Sequence, residues 1–247
     1  MADSVLSIWD RNHFALRRLH SLSGIIPVGL FLLNHLLANS TAFLGAKNFD
    51  HHIGIIHDLP WLVPIEIVFI FIPLAFHSIY GLVIAWQGKM NQGQYAYVDN
   101  WRYTLQRITA YITLVFVLIH LAHFRFAYLF GGAEYGSAYP NFFRFTSAGF
   151  HGAWLGVWFA IYVVGTTAAI FHFCNGIATF CITWGLTPGV AARRKVLVVT
   201  SVLAVVLFFW GMVSLTALAW TGPAAQPPAA GHTVVYAQQV GLPRAGP

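Results

Sequence analysis

The stretch "IFHFCNG", Ile170 to Gly176, decides how this chain is read, because it sets a histidine deep in a long apolar run. A second stretch, "AFHSIYG" (Ala75 to Gly81), repeats the pattern: Phe-His, with a glycine four residues after the histidine. An unpartnered polar group in apolar surroundings costs roughly 2–7 kcal/mol. A chain that does this repeatedly has something for its histidines to hold.

The runs around these histidines are long. Of 247 residues, 58% are hydrophobic and 8% charged, against roughly 25% charged in soluble domains. Five apolar segments, approximately 22–44, 61–86, 104–130, 152–183 and 196–220, each exceed the ~20 residues a helix needs to cross a bilayer. Lipid offers backbone groups no partner, so spanning segments are helices. The expectation is an all-α integral membrane protein with five transmembrane helices. A single membrane domain covers 1–220, followed by a Pro/Ala/Gly-rich tail over 221–247, read as extended. The polar, basic N-terminus does not read as a signal peptide. Pro27 and Pro73 are expected to bend their helices.

The formal charge of +6 needs no nucleic acid to explain it. Arg11, Arg17, Arg18, Lys89, Arg102, Arg107, Arg193, Arg194 and Lys195 fall on one side of the spans, against Lys47, Arg125, Arg144 and Arg244 on the other. The positive-inside rule then puts the N-terminus in the cytoplasm and the C-terminus outside. The two cysteines, Cys174 and Cys181, form no metal or redox motif and read as packing residues.

Twelve histidines is a high count, yet most are ordinary. His51, His52 and His57 share a polar outer loop with Asp50 and Asp58, which needs no metal to exist there. His13, His123, His151 and His232 lie near interfaces or in tails. Four differ. His35, His77, His120 and His172 fall one on each of the first four segments and none on the fifth, and intramembrane ionisable residues are functional candidates by default. At 1.5 Å per residue, His35 and His120 lie roughly 8 Å below the outer surface, and His77 and His172 roughly 15–18 Å from the inner one. Two bis-histidine sites at two depths suit haem iron, which takes neutral imidazole as an axial ligand. Gly81 and Gly176, one turn beyond His77 and His172, leave room for a macrocycle. Without a CxxCH motif the haem is non-covalent, b type.

The stretches "RRLHSLSGIIPVGLFLLNHLLAN" (17–39), "PLAFHSIYGLVIAWQGKMNQGQY" (73–95), "NWRYTLQRITAYITLVFVLIHL" (100–121) and "IFHFCNGIATFCITWGL" (170–186) resemble the cytochrome b membrane-anchor subunit of succinate dehydrogenases and fumarate reductases, of the five-helix, two-haem b558 type. The resemblance implies that the first four helices form a haem-binding bundle. The inner haem b is then held by His77 and His172 and the outer haem b by His35 and His120. It further implies a flavoprotein and an iron–sulfur subunit on the cytoplasmic side, membrane lipid around the chain, a quinone (usually menaquinone) as substrate, and a bacterial cytoplasmic membrane. Dihaem anchors of hydrogenase or formate dehydrogenase type, or a haem-free anchor, are the other readings.

Two further groups of residues are candidates. Arg17, Arg18 and His20 at the inner end of the first segment, with Gln106 and Arg107 at the inner start of the third, suit haem propionates or a quinone. Glu66, the one acidic residue set into an apolar segment, and Asp58 just before it suit quinone-linked proton transfer near the outer haem. The charge bias also predicts topology: reporter fusions at residues 90 and 190 report cytoplasm, and those at 50 and 140 the outside. The reverse pattern overturns the orientation.

Overall fold

Backbone groups that cannot reach water must pair within their own segment, and every regular element among the described residues is accordingly helical. The computed structural model describes residues 2–89, 93–95, 97–130 and 141–220; the expected tail, 221–247, lies outside the described residues. In chain order the helices are α1 (Ala2–Ile25), α2 (Pro27–Ser40), α3 (Ala46–His57), α4 (Leu62–Glu66), α5 (Ile72–Gln87), α6 (Val98–His120), α7 (Phe142–Ala148), α8 (Leu155–Thr183) and α9 (Val190–Trp220). Five stretches are long and apolar enough to cross a membrane: Asn12–Leu44, Leu62–Gln87, Val98–Arg125, Leu155–Thr183 and Val190–Trp220. Their large side chains are widely exposed, Leu30, Phe69, Val115, Val164 and Val205 among them, as suits a multi-pass protein whose solvent is hydrocarbon.

Two departures from the sequence reading have simple causes. The first helix begins at Ala2, some twenty residues before the apolar run, because no glycine or proline interrupts it before Gly24. The two longer connections carry short helices, α3 and α7. Both internal prolines leave a mark. At Pro27 the helix is broken into α1 and α2, since proline has no N–H for the preceding turn. Ahead of Pro73 the turn widens to a π-helix over Ile67–Phe71, with the Ile72 amide bonding the Ile67 carbonyl. A second π-helical turn, Leu121–Arg125, follows α6 directly.

The chain divides into two compact units. Of the described residues, those within 1–34, 63–114 and 166–209 form the first, and those within 35–62, 115–165 and 210–220 the second. The buried residues of the first are largely small or polar: Ser23, Thr104, Cys174, Asn175 and Thr200. Small residues let helix backbones approach closely in a membrane. The second is built on aromatic rings, with Phe49, Phe124, Phe142, Phe143, Phe150 and Tyr162 in one cluster. Several meet edge to face, as Phe49 and Phe143 do at 5.7 Å, the arrangement ring quadrupoles favour.

Within the second unit α3 is fastened to α7. The Asp50 carboxylate accepts the Phe143 amide at 2.6 Å, capping a helix whose N-terminal donors lack partners of their own. Burial pushes the Asp50 carboxyl up from its ordinary value, against the hydrogen bonds from the Phe142 and Phe143 amides. His57 stacks on Phe142 with centroids 4.5 Å apart. Burial, then Arg125, lower the His57 pKa to about 4, against a smaller opposing pull from Asp58. The unfolded chain thus binds the proton more readily between pH 6.5 and about 4, and stability contributed by neutral His57 is lost as pH falls through that window. Amide exchange in 46–57 and 142–148 is expected to speed up across that range. In His57→Phe, which keeps the ring but not the proton, the dependence should flatten; an unchanged profile there counts against His57 as its source.

Candidate functional site

His77 on α5 and His172 on α8 face each other in the first unit, with ring centroids 6.1 Å apart at 83°. Each is aimed by a main-chain carbonyl on a neighbouring helix. Nδ1 of His77 donates to the His20 carbonyl at 3.0 Å. Nδ1 of His172 donates to the Gln106 carbonyl at 3.1 Å. A neutral imidazole with its proton on Nδ1 keeps a lone pair on Nε2, the arrangement metal-bound histidines use. Imidazole nitrogens sit about 2 Å from a first-row metal, which puts the centroids of two trans rings roughly 6 Å apart. The pair therefore fits a bis-imidazole iron.

Gln106, a candidate from the sequence for propionate or quinone, is engaged with α8. Its amide donates to the His172 carbonyl at 3.1 Å, and its carbonyl oxygen accepts from buried Asn175 at 2.7 Å. Asn175 in turn accepts from Arg102 Nε at 2.9 Å. Arg102 and Asn175 were not singled out in the sequence; a buried asparagine three residues after His172 was the available signal. The histidine that comes closest to Gly81 is His20: a Cβ on Gly81 would stand 3.1 Å from the His20 ring, and one on Gly176 would meet Gln106 only at 3.6 Å. The glycine that matters most is Gly24, where a Cβ would collide with the His77 ring.

His20 stacks on His77, centroids 4.1 Å apart and nearly parallel. Its Nδ1 is buried with no hydrogen-bond partner, and so are Nε of Arg18 and Nε of Arg107. The Arg18 guanidinium lies over Phe14 and Trp184, and that of Arg107 over Tyr103 at 3.5 Å. Arg17 bonds His13 at 3.1 Å. Three buried nitrogens on the first unit, two of them arginine donors, thus lack a partner, although buried polar groups are nearly always paired. An anionic or carbonyl-bearing group is what they fit.

In the second unit His35 on α2 and His120 on α6 lie with ring centroids 5.5 Å apart at 81°. Nδ1 of His120 is 3.2 Å from the Tyr162 hydroxyl, and Nδ1 of His123 is 3.0 Å from the same oxygen. The Nε2 atom of His35 has the Asn39 amide at 3.3 Å. His123 and Tyr162 are further residues the sequence reading passed over.

Glu66 is half-buried at the end of α4, and Asp58 is exposed just past α3. No group of three or more metal-ligating side chains occurs among the described residues, His51, His52 and His57 included. Both cysteines are free thiols, Cys174 buried.

Residues 89–211 match the family model described as succinate dehydrogenase/fumarate reductase transmembrane subunit. The chain is 41% identical over 204 residues to the succinate dehydrogenase cytochrome b558 subunit of Bacillus subtilis (strain 168), covering 83% of this chain and 96% of that one.

Proposed function

The chain belongs to the succinate dehydrogenase/fumarate reductase transmembrane-subunit family, and from that premise we propose that it anchors the complex and carries electrons between an iron–sulfur subunit and a membrane quinone through two non-covalent b haems. The observation that carries the proposal is the pairing of the four intramembrane histidines, His77 with His172 and His35 with His120. Haem b held by these histidines would supply reversible one-electron exchange at its iron.

The protein's own part is to hold and orient. The His20 and Gln106 carbonyls fix the rings of the inner pair. Gly24 keeps the space beside His77 open. The unpaired nitrogens of Arg18, His20 and Arg107 suit the propionates of the inner haem or a quinone carbonyl. His35 is the least prepared of the four, since the Asn39 amide already approaches its Nε2. The basic residues predicted for the cytoplasmic face suit docking of the iron–sulfur and flavoprotein subunits, with the N-terminus inside, the C-terminus outside, and the whole in a bacterial cytoplasmic membrane. The dicarboxylate chemistry belongs to those subunits.

Replacing His77 or His172 is expected to remove the normal low-spin signal of one haem, and replacing His35 or His120 that of the other. Four single variants that all retain two normal signals sink the ligand assignment.

Proton transfer with the quinone is assigned to Glu66, with Asp58 at the surface nearby in sequence. A quinone at the outer end gives electron transfer across the bilayer a consequence: each charge moved is worth about 2.3 kcal/mol per 100 mV of membrane potential. Glu66→Gln tests this. Quinone-linked turnover should collapse while both haem signals, and succinate oxidation with an artificial acceptor, persist. Unchanged quinone turnover moves the site to the unpaired donors around His20 and Arg107.

A further inference from the structure

His120 differs from the inner ligands in what holds its ring. His77 and His172 each give their Nδ1 proton to a main-chain carbonyl. His120 has a side chain instead, the buried hydroxyl of Tyr162 on α8, and that hydroxyl also reaches Nδ1 of His123. The second nitrogen of His123, Nε2, faces the Gly149 main chain, to which His123 hydrogen-bonds. Trp158 stacks on the His123 ring with centroids 4.0 Å apart, so the ring is clamped on its face as well as at both nitrogens.

The donors in this chain can be ordered. A tyrosine hydroxyl has one proton to give and lone pairs to receive. The Gly149 carbonyl can only accept, so His123 carries its proton on Nε2 and presents a lone pair at Nδ1. The Tyr162 proton then goes to His123 Nδ1, and the hydroxyl oxygen is left to accept from His120 Nδ1. That order puts the His120 proton on Nδ1 and the lone pair on Nε2. The opposite order would put the His120 proton on Nε2 and leave no lone pair there for a metal.

We propose that Tyr162 is a positioning residue for the outer haem: by giving its proton to His123 and taking that of His120, it selects the His120 tautomer that binds iron and strengthens the ligand's electron donation. The inference rests on the assignment of His120 as a haem ligand. Hydrogen bonds in series polarise one another, and an acceptor on the remote nitrogen makes an imidazole a more basic ligand. A more basic ligand favours ferric iron and lowers the potential of its haem. The inner pair has no such adjustable element, because no side-chain substitution removes a main-chain carbonyl.

The test is a redox titration of the intact complex, followed in the haem absorption bands and by electron paramagnetic resonance of the low-spin ferric signals. In Tyr162→Phe, which keeps the ring and removes the hydroxyl, the outer haem's midpoint should move positive and its ferric signal should shift, while the inner haem's values stay put. His123→Leu should move the outer midpoint the same way by a smaller amount, because Tyr162 keeps its oxygen but loses its acceptor. It carries the test if Tyr162→Phe does not accumulate. An outer haem whose potential and ferric signal are unmoved in the variant that accumulates overturns the inference. His120→Ala is measured alongside. Loss of the outer signal there, together with an unmoved Tyr162→Phe, overturns this inference alone; two normal haems in His120→Ala overturn the ligand assignment beneath it.

Discussion

A neutral imidazole in hydrocarbon has two obligations, a proton to give and a lone pair to satisfy, and the candidate sites follow from how each is met. At His77 and His172 the proton goes to a carbonyl already engaged in its own helix, which a main-chain oxygen permits because it has two lone pairs. The His20 carbonyl also takes the Ser23 hydroxyl at 2.9 Å. Each bond is worth only about 1 kcal/mol net, but leaving a buried donor unmade costs about 1–3 kcal/mol. The ring orientation is therefore enforced chiefly by the penalty for every other orientation. The same bonds tie α5 to α1 and α8 to α6, so the geometry of the site and the packing of the helices share one set of contacts.

The two units solve their interiors differently, and the difference matches what each is proposed to hold. In the first, small and polar side chains lie at the core, joined in the run Arg102–Asn175–Gln106–His172. Such an interior can accommodate a charged group, and the unpaired nitrogens of Arg18, His20 and Arg107 suit one. In the second, His120 is ringed by Phe116, Phe124 and Tyr162 at centroid distances of 5.7–5.9 Å. An aromatic shell of that kind keeps water out and lowers the local dielectric, which strengthens the one polar chain running through it.

Much of this was legible in the sequence because it depends on composition over long windows. Five apolar runs announce five spans, and a histidine inside such a run stands out against its background. What was not legible depends on contacts between distant segments. Gln106 reads locally as a polar residue near a helix end; that it bonds a carbonyl 66 positions away has no local period. Tyr162 lies in a run of Trp, Phe and Tyr where one more aromatic ring carries no signal. Gly24 reads as a flexible spot before a proline, although its use is to let His77 approach. The short helices α3 and α7 went unread because their apolar faces are short, and α7 needs Asp50 from another segment to cap it.

The π-helical turn ahead of Pro73 bears on how two polar side chains of one span are turned. Glu66 and His77 are eleven residues apart on the stretch Leu62–Gln87. In a uniform α-helix, at 3.6 residues per turn, eleven residues bring the chain back to within about 20° of the same face. The carboxyl and the imidazole would then lie on one face, three turns apart. A π turn holds roughly one residue more than an α turn and so rotates what precedes it by about a quarter turn. Pro73 supplies the cause, since its missing N–H leaves the preceding turn without its regular bond. The widened turn at Ile67–Phe71 thus uncouples the facing of Glu66 from that of His77. A proline that a sequence reading takes for a simple bend acts as a rotation, and rotation turns Glu66 and His77, on one helix, toward different faces.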